Sequence, residues 1–321
     1  MPGGYAGKIL NVDLSQGKIE DVIVEEKVYR DFIGGYGLGA RIIFSRQKPG
    51  IDPLGPDSIL GFITGPLTGS PILLGTRYTV VGKSPLTGTW ADSNSGGDFG
   101  PYLKFAGYDA VFFSGVSERP VYLFIDQGRA ELRDAGHLWG KDTFETEDLL
   151  QAELGKETRV ACIGQSGESR SLIAAVMNNK GRAAGRSGLG AVMGSKRLKA
   201  VAVRGKESLA IADPTRAKQL RAKHLARVQD PKAPVRTLME YGQAGATANV
   251  IRIGDAPVKN WDGVASVDFP NPEAISDINV TKYQLKRYHC WHCPIGCGGH
   301  MKAGEGLYQY AAGAHKPEYE T

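Results

Sequence analysis

Residues 8–24 read KILNVDLSQGKIEDVIV and contain two short runs in which apolar and polar residues alternate. The first run spans Lys8 to Leu14 and the second spans Lys18 to Val24, with Ser15-Gln-Gly17 between them. Alternation with a period of two, interrupted by a Gly-containing turn, is typical of a β-hairpin. The stretch therefore predicts an antiparallel pair of strands near the start of the chain.

The same kind of signal recurs further along the chain. Pro120 to Asp126 and Arg129 to Arg133 are joined by Gln127-Gly128, which predicts a second hairpin. Apolar runs without alternation predict buried strands at 58–63, 78–81, 110–113, 159–163, 172–176 and 200–203. Strands that come in pairs favour an α+β domain over a regular βαβ ladder.

Helices are fewer in this first part and more frequent after residue 206. Thr143 is the predicted N-cap of a helix over 144–154, and another helix is predicted over 39–46. Asp213 and Pro214 predict an N-cap and first turn for a helix that ends near Val228, with further helices near 235–241 and 246–253. We therefore predict a β-rich domain of paired sheets over 1–207. The start of a mainly α-helical domain, truncated at its end, follows over 211–321.

Composition limits the class of protein. The 321 residues are 41% hydrophobic and 23% charged, as in soluble globular proteins. There is no signal-peptide segment and no apolar run long enough to cross a membrane, so a cytoplasmic location without membrane contact is expected. The net charge of +5 is scattered rather than massed, which argues against nucleic acid. An anionic cofactor or an acidic protein partner fits this charge at least as well.

Three of the four cysteines lie within eight residues, at Cys290, Cys293 and Cys297. Thiolates spaced this closely in a chain with few cysteines usually share a metal centre. A tetrahedral zinc site or an iron–sulfur cluster needs four ligands, so one ligand is missing from the segment. The spacing C-x2-C-x3-C is not the C-x2-C-x2-C run of bacterial ferredoxins.

The spacing leaves three interpretations open: an iron–sulfur cluster, a zinc ion and no metal. Zinc would need His289, His292 or His300 as its fourth ligand. Cys162 lies in a strand-like apolar run, so we expect it to be a buried, unreactive thiol.

Two glycine-rich segments, 34–39 and 181–190, are candidates for binding phosphate groups. Neither has the spacing of a dinucleotide-binding or Walker motif, and tight turns explain many such segments. Arg182 and Arg186 make the second segment the stronger candidate, because guanidinium groups beside exposed backbone amides suit a polyanion. Asn94, flanked by small residues, could present its amide to a ligand, although an Asx-turn is the simpler expectation.

Taken in order along the chain, these segments resemble the aldehyde ferredoxin oxidoreductase family of tungsten- and molybdenum-pterin enzymes. The resemblance covers nearly the whole chain. It comprises residues 65–69, 77–78, 83–88, 94–97, 103–109, 164–168, 182–186, 190–194, 198–200, 290–297 and 317–320.

The resemblance implies roles for individual residues. Cys290, Cys293 and Cys297 would ligate a [4Fe–4S] cluster, and Arg77 would lie between the cluster and the pterin. Glu320 matches a glutamate near the metal that would act as a catalytic base. The residues implied to contact two pyranopterin (molybdopterin) cofactors are Asn94, Gly96, Arg182, Ala183, Gly185 and Arg186.

The activity implied is conversion of aldehydes to carboxylic acids, with electron transfer to ferredoxin through the tungsten or molybdenum pterin centre and the cluster. A homo-oligomer is compatible with the resemblance. Family members are about twice as long, so the fourth cluster ligand and further pterin contacts are expected beyond residue 321. This part alone is then expected to be inactive. Residues 313–316 also lack the acidic approach expected before Pro317.

Other functions fit some of the same residues. One is a sister activity, either reduction of an aromatic acyl-CoA or oxidation of a sugar-phosphate aldehyde. A second is a non-catalytic iron–sulfur subunit that only transfers electrons. A third is a zinc-binding interaction module.

Overall fold

The computed structural model describes residues 3–307 and 309–317. Its chain separates into two compact units, Met1–Lys218 and Gln219–Thr321. The described residues include no helix that is both long and apolar enough to cross a membrane.

The first unit contains two six-stranded sheets. The first sheet has the strand order β2-β1-β6-β3-β4-β5, and only β1 and β6 run parallel. Its strands are β1 (Lys8–Asp13), β2 (Lys18–Ile23), β3 (Leu60–Thr64), β4 (Tyr78–Lys83), β5 (Trp90–Ser95) and β6 (Ala110–Ser114). The helices in this part are α1 (Glu26–Phe32), α2 (Gly35–Arg46) and α3 (Phe99–Phe105). The hairpin predicted over residues 8–24 is confirmed by the antiparallel pairing of β1 with β2.

The second sheet has the order β11-β10-β9-β12-β7-β8, and only β7 and β12 run parallel. Its strands are β7 (Val121–Asp126), β8 (Arg129–Asp134), β9 (Arg159–Cys162), β10 (Val176–Asn178), β11 (Arg182–Ala184) and β12 (Leu198–Arg204). The accompanying helices are α4 (Thr143–Leu154), α5 (Gln165–Glu168) and α6 (Leu189–Ser195). The second predicted hairpin is confirmed as β7 and β8.

Two local predictions were wrong. The apolar run at 172–176 is not a strand, and only Val176 enters β10. Leu172 and Ile173 are 43% and 74% exposed, so the first part of this run lies in a surface loop rather than in a core strand. The N-cap of α4 is Asp142 and not Thr143, because Asp142 and Glu145 form a reciprocal capping box.

Apolar side chains of both sheets meet in one core. This core lies between the sheets and also takes residues of α3 and α6. A second core joins the outer face of the first sheet to α1 and α2, and a third joins the second sheet to α4. The layered packing of helices and antiparallel pairs confirms the predicted α+β class.

The glycine-rich segment 34–39 belongs to this packing. Residues 35–39 form the first turns of α2 rather than a phosphate-binding loop. A Cβ on Gly39 would lie 2.6 Å from Ile63 and 2.9 Å from Val81. The absence of a side chain therefore lets α2 lie directly on β3 and β4.

The second unit is built mainly of short helices. They are α7 (Pro214–Gln229), which begins in the first unit, α8 (Arg236–Tyr241), α9 (Ala244–Arg252), α10 (Ala265–Asp268) and α11 (Asp277–Thr281), with 3₁₀ turns at Val258–Trp261 and Pro272–Ile275. The backbone N–H of Arg216 donates to Asp213 Oδ1 at 2.8 Å, which confirms the predicted cap of α7. Strands β13 (Gln284–Tyr288) and β14 (Gly298–Met301) form an antiparallel hairpin after the helices.

Candidate functional site

The first sheet ends at β5 and the second sheet ends at β11, and these two edge strands lie next to each other. The backbone N–H of Arg186 donates to Ser93 Oγ at 3.0 Å. The Ser187 hydroxyl donates to the carbonyl oxygen of Asp92 at 3.4 Å. We call the region formed by β5, residues 96–98, β11 and residues 185–187 the edge-strand surface.

Arg77 and Asn94 are held together beside this surface. Arg77 Nε donates to Asn94 Oδ1, and Arg77 Nη2 donates to the Asn94 carbonyl oxygen at 3.2 Å. The Asn94 amide nitrogen in turn donates to Thr79 Oγ1 at 3.2 Å. Asn94 lies inside β5 opposite Thr79, so the Asx-turn expected from sequence is wrong.

Thr79 is a residue that sequence reasoning missed. It is 3% exposed and fixes which way the Asn94 carboxamide points. The signal that could have found it is the strand register, since pairing of β4 with β5 places the two residues opposite each other.

The remaining predicted contacts lie on the same surface. Gly96 is buried directly after β5, and its carbonyl oxygen accepts a hydrogen bond from Asn178 Nδ2 at 3.1 Å. Arg182 is half-buried in β11. Ala183, Gly185 and Arg186 are exposed. The structure thus places six of the seven predicted cofactor contacts on the edge-strand surface, and the seventh, Arg77, precedes β4 and is hydrogen-bonded to Asn94 beside it.

The chemistry of this surface suits an anion. Arg77, Arg182 and Arg186 contribute three guanidinium groups, which pair with phosphate oxygens in a planar, forked geometry. A guanidinium group has five N–H donors, and the two bonds from Arg77 to Asn94 leave others directed elsewhere. Edge strands also present backbone N–H and C=O groups on their outer side.

The three clustered cysteines lie in the loop that joins β13 to β14. The Cys293 N–H donates to the carbonyl oxygen of Cys290 at 3.0 Å, which closes a turn inside the loop. Arg287 supports the far end, since its Nε donates to the carbonyl oxygen of Gly296 at 3.1 Å. All three thiols are partly exposed. Within residues 3–307 and 309–317, no three His, Cys, Asp or Glu side chains are placed to hold one metal ion.

The nearby histidines contact the loops around them. His289 Nδ1 lies 2.9 Å from the carbonyl oxygen of Cys293, and His300 Nδ1 lies 2.9 Å from that of Gly313. The His292 ring stacks on Trp291 with 4.1 Å between centroids. The three thiols are thus gathered in one loop, but neither they nor the histidines converge on a single point.

Cys162 differs from these cysteines. It lies in β9 of the first unit and is 1% exposed. Burial raises the pKa of its thiol far above the ordinary value, so the thiol stays protonated. Glu320, the predicted base, lies outside the described residues.

Comparison with known proteins assigns both units to one family. Residues 9–205 match the model of the aldehyde ferredoxin oxidoreductase N-terminal domain. Residues 219–321 match the model of domains 2 and 3 of the same enzymes.

Individual relatives agree with these matches. The chain is 41% identical over 297 residues to a tungsten-containing aldehyde ferredoxin oxidoreductase of Pyrococcus horikoshii, covering 92% of this chain and 48% of the relative. It is 34% identical over 313 residues to the WOR-like subunit of an aliphatic sulfonate oxidoreductase of Pyrococcus furiosus, covering 91% of this chain and 49% of that protein.

A solved structure is also similar. It is the active site complex BamBC of benzoyl coenzyme A reductase in complex with 1,5-dienoyl-CoA, with a TM-score of 0.81 and 33% identity. The match covers 97% of this chain and 49% of that one. The chain therefore spans about half the length of the relatives it matches. With both domain models matched in order, the chain belongs to the aldehyde ferredoxin oxidoreductase family.

Proposed function

We propose that this chain is the N-terminal part of an oxidoreductase that converts aldehydes to carboxylic acids and passes the electrons to ferredoxin. The observation that carries the proposal is the edge-strand surface, where edge strands of two different sheets adjoin, with Arg182 and Arg186 on one side and Arg77 hydrogen-bonded to Asn94 on the other. The relatives named as tungsten-containing aldehyde ferredoxin oxidoreductases supply the reaction class.

The residues of the edge-strand surface fit a bis-pterin centre. Arg182 and Arg186 would offset the phosphate charges of the two pterins, and Arg77 would contact a pterin beside them. Asn94 and the backbones of Gly96, Ala183 and Gly185 would bind the edges of the ring systems. A bound tungsten or molybdenum pterin would supply the two-electron oxygen-transfer chemistry that protein side chains lack.

The chain's own residues would position that group and hold polar side chains in a fixed orientation around it. Asn94 holds the Arg77 guanidinium through two hydrogen bonds, so the charge of Arg77 is oriented before any ligand binds. A preorganised charge stabilises an anion without the cost of reorienting at the moment of binding.

The cysteine loop fits a [4Fe–4S] cluster in its donor chemistry. Cys290, Cys293 and Cys297 would supply three thiolates from one hairpin loop, and such clusters are held by cysteine thiolates. The fourth ligand would come from a segment that corresponds to the part of the relatives outside the match. Glu320 would act as the base, and a homo-oligomer would be compatible with the family.

The structural neighbour favours one second candidate. That protein is named as a benzoyl coenzyme A reductase, and its 33% identity to this chain is not far below the 41% of the aldehyde enzyme. Reduction of an aromatic acyl-CoA is therefore the alternative activity. Assay of one preparation with aldehydes plus oxidised ferredoxin, and with an aromatic acyl-CoA plus a low-potential reductant, distinguishes the two.

The proposal is tested by purifying the full-length native protein under anaerobic conditions from cells grown with tungstate. We expect pterin and tungsten in the preparation and aldehyde-dependent reduction of ferredoxin. Arg182→Ala should lower the pterin content several-fold. Arg129→Ala is the matched control, because Arg129 is an exposed arginine on β8, at the opposite edge of the same sheet. Wild-type protein without pterin, or equal loss in both variants, would reject the proposed site.

A further inference from the structure

Asn178 is a buried residue that connects the two strands of the edge-strand surface. It is 0% exposed at the end of β10, and its backbone pairs with Arg182 of β11. Its side-chain nitrogen reaches across to the other sheet, where it donates to the carbonyl oxygen of Gly96 at 3.1 Å and to Tyr78 Oη at 3.0 Å. One residue therefore touches the Gly96 turn through its side chain and Arg182 through its backbone.

Asn179 makes a second link between the same segments. Its Oδ1 accepts a hydrogen bond from the Asp98 N–H at 2.7 Å. The backbone adopts positive φ at Asn179 (46°) and at Lys180 (60°), so the β10–β11 connection is a tight turn. The Lys180 N–H donates to Glu147 Oε2 at 2.9 Å, which fixes this turn to α4.

The two segments are as close as their backbones allow. Gly97 has φ 91°, and a Cβ at this position would lie 2.3 Å from Asn179 Oδ1 and 2.8 Å from Asn178 Oδ1. Any side chain at Gly97 would therefore push the end of β5 away from the β10–β11 turn.

We propose that Asn178 and Asn179 form a brace that sets the separation between the Gly96 turn and Arg182, and so positions both for the cofactor. This inference rests on the proposed function. A ligand bound from two sheets needs both sides placed within about half an ångström, and residues locked by hydrogen bonds behind the contacts provide that accuracy. Asn178 and Asn179 are positioning residues, because they act through Gly96, Asp98 and Arg182.

The hydrogen bonds of Asn178 indicate that its side chain positions the Gly96 segment rather than only filling space in the core. Asn178 Oδ1 is buried without a hydrogen-bond partner in the described part of the chain, whereas Nδ2 makes two directed bonds. An apolar side chain would fill this place without an unsatisfied oxygen, so the amide serves the two bonds that it donates.

The test uses the protein with all of its native chain and compares Asn178→Ala with Val176→Ala. Val176 is also 0% exposed in β10, but its side chain is apolar and cannot hydrogen-bond Gly96, so its truncation controls for loss of packing. Two quantities are measured: hydrogen–deuterium exchange of residues 94–98 in protein freed of cofactor, and the rate of pterin release from loaded protein. For Asn178→Ala we expect each to rise about tenfold, with near wild-type values for Val176→Ala.

The proposed brace would be rejected if hydrogen–deuterium exchange and pterin release are accelerated equally in both variants. It would also be rejected if Asn178→Ala shows wild-type exchange at residues 94–98. If Asn178→Ala does not fold, Asn179→Gly is read in the same way, since it removes the acceptor for the Asp98 N–H and glycine adopts the positive φ of this position without strain. Wild-type protein without pterin would reject the proposed function and the cofactor part of this inference. The exchange of residues 94–98 needs no cofactor and would still decide whether the brace exists.

Discussion

Replacing Thr79 with valine removes one hydroxyl group behind the candidate cofactor site and keeps the shape of the side chain. Thr79 Oγ1 accepts from Asn94 Nδ2 at 3.2 Å, and Asn94 Oδ1 accepts from Arg77 Nε. Without the hydroxyl, the Asn94 amide loses its fixed orientation, so the acceptor for Arg77 Nε is less well fixed, while the bond from Arg77 Nη2 to the Asn94 carbonyl oxygen remains.

The size of the effect follows from this single bond. A hydrogen bond between neutral groups contributes about 1 kcal/mol net, which corresponds to roughly a fivefold change in an equilibrium constant. Valine also suits a strand, so the pairing of β4 with β5 should persist. We therefore expect Thr79→Val to release pterin about fivefold faster, with at most about 1 kcal/mol lost from the free energy of unfolding.

The assay follows the fluorescence of oxidised pterin released from loaded protein, beside a chemical denaturation curve. Thr158→Val is the matched control. Thr158 is 0% exposed, and its Oγ1 has no hydrogen-bond partner within the described residues. Its replacement should leave pterin release unchanged and stability equal or higher. Equal pterin release from wild-type and Thr79→Val protein would refute the orienting role of Thr79.

Three further predictions concern metal content, pH and a buried charge. Cys293→Ser should lose the roughly four iron atoms expected per chain, as measured by anaerobic metal analysis; stoichiometric zinc without iron would reject the cluster. Burial lowers the pKa of Lys196 from 10.5 to about 8. The unfolded chain then binds more protons between these values, so the free energy of unfolding should rise by about 3 kcal/mol from pH 8 to 10.5. The measurement is a pH series of denaturation curves for the wild type and for Lys196→Met. The same rise in the free energy of unfolding in Lys196→Met would contradict the prediction. The Lys104 side chain is 1% exposed, and its ammonium lies 3.3 Å from the Asp109 carboxylate. Asp109→Asn leaves this buried charge unpaired, so denaturation curves should show a decrease of about 3–5 kcal/mol in the free energy of unfolding. A decrease below about 1 kcal/mol would contradict this prediction.

Much of the fold could be predicted because its signals are local. The hairpins β1–β2 and β7–β8 follow from alternation over a few residues and the turn between them. The cap at Asp213 is equally local. The strand predicted at 172–176 failed because apolar composition alone does not reveal whether a run is buried, and Ile173 is exposed.

The candidate site depends on contacts that local patterns do not contain. Asn178 and Tyr78 are 100 residues apart in sequence, yet their side chains are 3.0 Å apart. β5 and β11 are edge strands of two different sheets, and they lie next to each other because of how the two sheets pack. The resemblance to a family pointed to Asn94 and Arg182, but it gave no reason to single out Thr79 or Asn178, whose roles depend on register and burial.

The four sheet edges of the first unit differ in a way that fits a ligand site. Exposed edges are commonly protected by charged side chains, which discourage pairing with other chains. The two outer edges follow this rule, with charged residues Lys18, Glu20 and Asp21 on β2 and Arg129, Glu131, Arg133 and Asp134 on β8. The inner edges do not, since β5 reads WADSNS and β11 reads RAA, with one charged residue each. Small residues on two adjoining edges let backbone groups and the nearby arginines approach a ligand closely. Because β5 and β11 lie next to each other, each covers part of the other's edge, and the remaining uncharged part of both edges is where the proposed anion would bind.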